Sequence, residues 1–103
     1  MKLFVISDNV DTQIGMRLSG IDGVVVHDKE SASLELENVM NRDDIAVVLM
    51  TENVIRLIKD LVYDYKLNQK TPLIIEIPDR HGNGRTKDSI TKYVEEAIGV
   101  KID

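Results

Sequence analysis

The stretch Asp44-Ile45-Ala46-Val47-Val48-Leu49-Met50-Thr51-Glu52 decides the fold. Residues 45–50 are the longest uninterrupted apolar run of the chain, bounded by acids and a threonine. No polar residue alternates within it, so both faces of the strand it predicts are buried. A strand apolar on both faces belongs in a parallel sheet covered by helices on either side. The run is also far short of the roughly 20 residues needed to cross a bilayer.

Three more short runs fit the same reading. Leu3-Phe4-Val5-Ile6 is ended by Ser7-Asp8-Asn9, residues 23–26 are Gly followed by three valines, and Leu73-Ile74-Ile75-Glu76-Ile77 lies between Pro72 and Pro78. Segments with helical spacing separate them. Val10, Ile14, Leu18 and Ile21 fall on one helix face, with Asp8 or Asp11 as the expected cap and Gly20 as the left-handed residue after the last turn. Gly15 inside this helix costs stability, which a close approach of helix to sheet would justify. Asp28 opens a second helix with Ala32, Leu36, Val39 and Met40 inward. Thr51 is expected to cap a third, whose stripe is Val54, Ile58, Leu61, Val62 and Tyr65. After a polar, glycine-bearing loop over 79–87, Ile90, Tyr93, Val94, Ala97 and Ile98 mark a last helix, ended by Gly99. Strands alternating with helices and joined by right-handed crossovers predict a Rossmann-like or receiver-like three-layer α/β sandwich with a four-stranded parallel sheet. Residues 1–78 form the core of this single domain, and residues 79–103 its flexible loop and C-terminal helix.

Composition mainly excludes. The chain has 103 residues, 43% of them hydrophobic and 30% charged, in the range of one ordinary globular domain. It contains no cysteine, which removes disulfides, thiol nucleophiles and Cys-based zinc sites. Two histidines far apart in sequence, His27 and His81, argue against a His-based metal site, and no Ser-His-Asp arrangement is assembled around either. A net charge of −5 and 4% aromatic residues argue against nucleic-acid binding, which needs a basic footprint and stacking platforms. The charge is uneven. Residues 1–51 hold four Lys/Arg against nine Asp/Glu, whereas residues 52–103 hold nine of each. Such asymmetry can orient a partner, and it also suits a solvated surface.

In this fold a ligand would sit beyond the carboxyl ends of the strands. That rim holds Ser7, Asp8, Asn9, His27, Asp28, Met50, Thr51, Glu52, Asp79 and Arg80. Asp8, Asp28 and Glu52 could converge on a Mg²⁺ ion, although each also stands where a helix start favours an acid. A phosphoacceptor receiver needs an Asp nucleophile after the third strand, and here the residues are Leu49-Met50-Thr51. Gly82-Asn83-Gly84-Arg85-Thr86-Lys87 matches neither a dinucleotide fingerprint nor a P-loop, although Arg85 and Lys87 before a helix would attract an anion. Glu76, an acid between two isoleucines, is expected at an edge or end of the sheet.

Four segments resemble a known family. Asp8, Asp11 and Thr12 followed by Gly15-Met16-Arg17-Leu18-Ser19-Gly20-Ile21 resemble the opening of the F subunit of V-type and archaeal A-type ATPases, where an acid-bearing turn leads into Gly-Phe-Arg-Leu-Ala-Gly. Asp44-Ile45-Ala46-Val47-Val48-Leu49 with Thr51-Glu52 is similar to that family's third strand and turn. Pro72-Leu73-Ile74-Ile75-Glu76-Ile77-Pro78 is similar to its Pro-x-x-x-Glu-Ile-Pro segment. Lys87-Asp88-Ser89-Ile90 and Ala97-Ile98-Gly99-Val100 resemble its C-terminal helix. Met16 replaces the usual Phe, a change a core tolerates. Arg80-His81-Gly82-Asn83-Gly84-Arg85 replaces the Asp-His-Pro-Tyr-Asp-Pro loop of eukaryotic forms, as in bacterial and archaeal members.

The resemblance implies a non-catalytic rotor subunit of the central stalk, without a cofactor, coupling ATP hydrolysis or synthesis to ion transport. The implied partners are the coiled-coil D subunit and, in the assembled motor, the head subunits A and B and the connector to the membrane ring. No nucleic acid and no membrane insertion are implied; the expected location is cytoplasmic, peripheral to the membrane. The expected contacts are Glu76, Ile77 and Pro78, the helix anchors Ile90, Tyr93, Val94 and Ala97, and a rim of Arg80, Arg85 and Lys92. A degenerate receiver-like binding domain without phosphotransfer is the alternative, and an anion-binding accessory built on Arg85 and Lys87 a third.

Overall fold

A computed structural model describes residues 2–78. The chain runs β1 (Lys2–Ser7), α1 (Val10–Leu18), β2 (Asp22–Val25), α2 (Lys29–Met40), β3 (Ile45–Thr51), α3 (Glu52–Leu57), α4 (Lys59–Asn68) and β4 (Leu73–Ile77). The four strands form one parallel sheet in the order β2-β1-β3-β4. The expected sandwich core is therefore present, and the expected last helix lies outside the described residues.

The strand order places the helices. Passing from β1 to β2 and from β2 to β3 moves in opposite directions across the sheet, so right-handed crossovers put α1 on one face and α2 on the other. The crossover from β3 to β4 continues in the direction of the second and adds α3 and α4 to the α2 face. Two cores result. Phe4, Ile6, Val48, Met50 and Ile74 meet Ala32, Leu36, Val39, Val54, Ile58 and Val62 beneath α2, α3 and α4. On the opposite face Val5, Val47, Leu49 and Ile77 pack with Met16 and Ile21. In β3 every residue except Ala46 is buried, as its uninterrupted apolar run requires. The register steps from Lys2↔Ile45 to Leu3↔Val47, so Ala46 is an extra residue that turns Ile45 onto the α2 face.

Local details of the helices depart from the sequence reading. The apolar row of α1 does not face the sheet: Val10, Ile14 and Leu18 are 53%, 48% and 67% exposed, and Met16 is the buried residue of that helix. Asn9, not Asp8 or Asp11, caps α1 by accepting a bond from the Thr12 amide at 2.7 Å. The third helical stretch is two helices, broken at Ile58, whose φ of −131° leaves the helical range while its side chain stays buried. No glycine, proline or capping side chain marks that break. The stripe itself holds, with Val54, Ile58 and Val62 buried and Leu61 and Tyr65 packed against the core.

Two glycines carry backbone demands. Gly20 has φ of +84° after α1, the left-handed position expected of it. Gly23 stands beside Val5 in the register of β1 and β2. A β-carbon there would collide with the side chain and carbonyl oxygen of Val5. The glycine thus brings the edge strand hard against the centre of the sheet.

Candidate functional site

In the order β2-β1-β3-β4 the connections leave β1 and β3 in opposite directions, so the switch point lies between the carboxyl ends of these strands. The residues there are Ser7 and Asp8 at the end of β1 and Thr51 at the end of β3. Both Ser7 and Thr51 are fully buried polar residues, and each is hydrogen-bonded. Thr51 Oγ1 donates to Asp8 Oδ1 at 2.8 Å and accepts from the Asp8 amide at 3.3 Å. Asn53 Nδ2 donates to Asp8 Oδ2 at 2.9 Å. Ser7 Oγ donates to the Asn9 carbonyl at 2.8 Å and accepts from the Asn9 amide at 2.9 Å, which closes the turn into α1.

Burial raises the pKa of Asp8, but the bonds from Asn53 and Thr51, its own amide and the nearby His27 outweigh it and hold the carboxyl below its ordinary value. Both oxygens of the ionised group already carry a donor. Thr51 thus occupies the expected N-cap position of α3 with extended backbone, but its hydroxyl is bonded to Asp8 and makes no capping bond to the helix. At the place where a receiver domain keeps its nucleophile, this chain has a hydroxyl committed to Asp8.

The other acids of the rim stand apart. Asp28 caps α2 as expected: its carboxylate accepts from the Ser31 amide at 2.7 Å and the Ser31 hydroxyl at 3.2 Å, which hold it below its ordinary pKa. Glu52 lies in the first turn of α3. Among the described residues no three His, Cys, Asp or Glu side chains gather into a metal-binding group, so Asp8, Asp28 and Glu52 do not converge. His27 is exposed. Of the residues singled out for partner contact, Glu76 is exposed on the edge strand β4, Pro78 is half-buried, and Ile77 is packed into the α1-face core. Arg80, Arg85, Ile90, Lys92, Tyr93, Val94 and Ala97 lie outside the described residues, as do Lys87 and His81. Sequence reading missed Asn53, which carries no signal of its own until the fold brings it across 45 residues to Asp8.

Fold and rim together define a doubly wound α/β domain with receiver-like strand order, whose switch point is closed by its own side chains. The family model of the ATP synthase (F/14-kDa) subunit matches residues 3–94. The A-type ATP synthase F subunit of Methanocaldococcus jannaschii is 35% identical over 103 residues, covering 99% of both chains. That of Pyrococcus furiosus is 33% identical over 107 residues, with 99% of this chain and 98% of the other covered. The crystal structure of the V-type ATP synthase F subunit from Archaeoglobus fulgidus superposes with a TM-score of 0.63 at 27% identity, covering 74% of this chain and 95% of that one. The chain belongs to the ATP synthase (F/14-kDa) subunit family, that of the F subunits of A-type and V-type ATP synthases. No helix among the described residues is long and apolar enough to cross a membrane.

Proposed function

We propose that the chain is a non-catalytic rotor subunit of the central stalk, which binds the coiled-coil D subunit and helps couple ATP hydrolysis or synthesis to ion transport. The observation that carries this reading is a family match that runs through β4 and on to residue 94, across most of the proposed contact region. A closed switch point supports a binding rather than a catalytic role, because Asp8 and Thr51 are spent on each other. In this reading Glu76 and Pro78 present the carboxyl end of the edge strand to the D subunit, with Ile77 fixing them from the core. Ile90, Tyr93, Val94 and Ala97 then act as anchors at helical spacing against the coiled coil, rimmed by Arg80, Arg85 and Lys92. The head subunits A and B and the connector to the membrane ring are its further neighbours in the motor, at the cytoplasmic side of the membrane.

Co-expression with the D subunit and native mass spectrometry test the proposal. A one-to-one complex, weakened at least tenfold by Tyr93→Asp, is expected. Absence of any complex with the unaltered chain overturns it.

A further inference from the structure

At the end of the sheet opposite the switch point, the turn from α4 into β4 forms a groove of about 400 Å³. Tyr65, Lys66, Gln69, Lys70, Pro72 and Leu73 line it, with Ile74 at its base. Its walls are fixed: Gln69 Nε2 donates to the carbonyls of Met40 and Thr71, each at 2.8 Å, tying the turn to the end of α2. Its lining mixes polar and apolar groups: Pro72 and Ile74 are buried, and Leu73 is the exposed apolar side chain, at 49%. Two cations border it. Neither Lys66 nor Lys70 forms an ion pair among the described residues, in a chain whose net charge is −5. Burial, with the nearby acids Glu37 and Asp64, pushes the Tyr65 hydroxyl up in pKa. They line none of the groove, and Asp64 is bonded to Asn68 at 2.9 Å.

The dipole of α4 accounts for a lysine in its last turn. It does not account for a second lysine and an exposed leucine lining the same groove. The same dipole places partial negative charge at this end of the helix, so attraction for an acidic partner comes from the two lysines alone.

We propose that this groove seats an acidic amphipathic segment of a neighbouring subunit, with a carboxylate between Lys66 and Lys70 and an apolar side chain against Pro72 and Leu73. The inference rests on the family reading only in that an ATP synthase subunit has protein neighbours. The groove lies at the opposite end of β4 from Glu76 and Pro78, and its test reads a different variant and product from that of the D-subunit contact, so the two fail separately.

The test uses the complete complex assembled from its own subunits, with a benzophenone amino acid in place of Leu73. Irradiation and peptide mapping identify what lies in the groove. A cross-link to an acidic, apolar-spaced stretch of another subunit is expected. Lys66→Glu with Lys70→Glu lowers its yield at least tenfold, whereas Lys29→Glu with Lys59→Glu leaves it unchanged. Thermal melts of each variant verify folding. Cross-links to residues 79–103, to a second copy or to a basic segment overturn the inference, as does no cross-link or a yield indifferent to the lysines. Loss of the cross-link on adding millimolar inorganic phosphate or ATP assigns the groove to a small anion and overturns it too. If the unaltered chain fails to join the D subunit, the rotor reading fails instead.

Discussion

Thr51 Oγ1 donates to Asp8 Oδ1 at 2.8 Å and so joins the carboxyl ends of the two central strands, 43 residues apart in sequence. The bond is made by a fully buried hydroxyl and an ionised acid, a pairing worth more than a neutral one. Thr51→Val keeps the shape and removes the donor. The expected loss is about 1–2 kcal/mol of unfolding free energy by urea titration. It is accompanied by a rise in the Asp8 pKa measured by NMR.

Acid should act through the same carboxylate. Hydrogen bonding depresses the Asp8 pKa in the folded state, so its contribution is complete above the ordinary value of 3.8 and is lost as pH falls below it. Asp28 and Asp44 are depressed as well and act with the same sign. Asp8→Asn therefore costs about 1–3 kcal/mol at neutral pH, where it turns an N–H group toward donors that expect an oxygen. Its stability then declines less steeply than that of the unaltered protein between pH 4 and pH 2, followed by urea midpoints.

Gly23 and Gly20 separate two reasons for a glycine. A β-carbon at Gly23 meets both the side chain and the carbonyl of Val5. Gly23→Ala is expected to cost about 2–3 kcal/mol, as overpacking does. Adding Val5→Ala recovers little, because the carbonyl remains. A denaturation series on the single and double variants shows this directly.

At Gly20 a β-carbon meets nothing within 4 Å, and only the positive φ matters. Gly20→Ala should cost about 1 kcal/mol, and Gly20→Asn less, since Asn tolerates the left-handed region. Thermal unfolding of the pair measures the difference.

Gln69→Ala removes both bonds that tie the α4–β4 turn to α2. A loss of about 1–2 kcal/mol is expected. Faster amide exchange confined to residues 69–74 distinguishes this local loosening from global unfolding.

The sheet was legible because each strand is an apolar run bounded by polar residues or proline, and α2 because Asp28 and the row Ala32, Leu36, Val39 agree. The orientation of α1 was not. Periodicity reveals that Val10, Ile14 and Leu18 share a face, but Met16 and Ile21 are apolar too, and only packing against Val5, Val47, Leu49 and Ile77 of the sheet chooses between them. The sequence offers Asp8 or Asp11 as the cap of α1; Thr51 and Asn53 claim Asp8 instead, and Asn9 takes the role. The break at Ile58 has no residue that announces it. The site was hidden for the same reason: its bonds span more than 40 residues, and local pattern carries nothing about them.

The parallel register of β1, β3 and β4 has a mechanical side. A pull that enters at the carboxyl end of β3 and leaves at the amino end of β1 loads the evenly spaced bonds between Leu3–Ile6 and 47–50 all at once. They resist in shear, and none can be peeled before its neighbours. A sheet wired in this way transmits tension lengthwise as a stiff plate, while its edge strands remain the direction in which it yields.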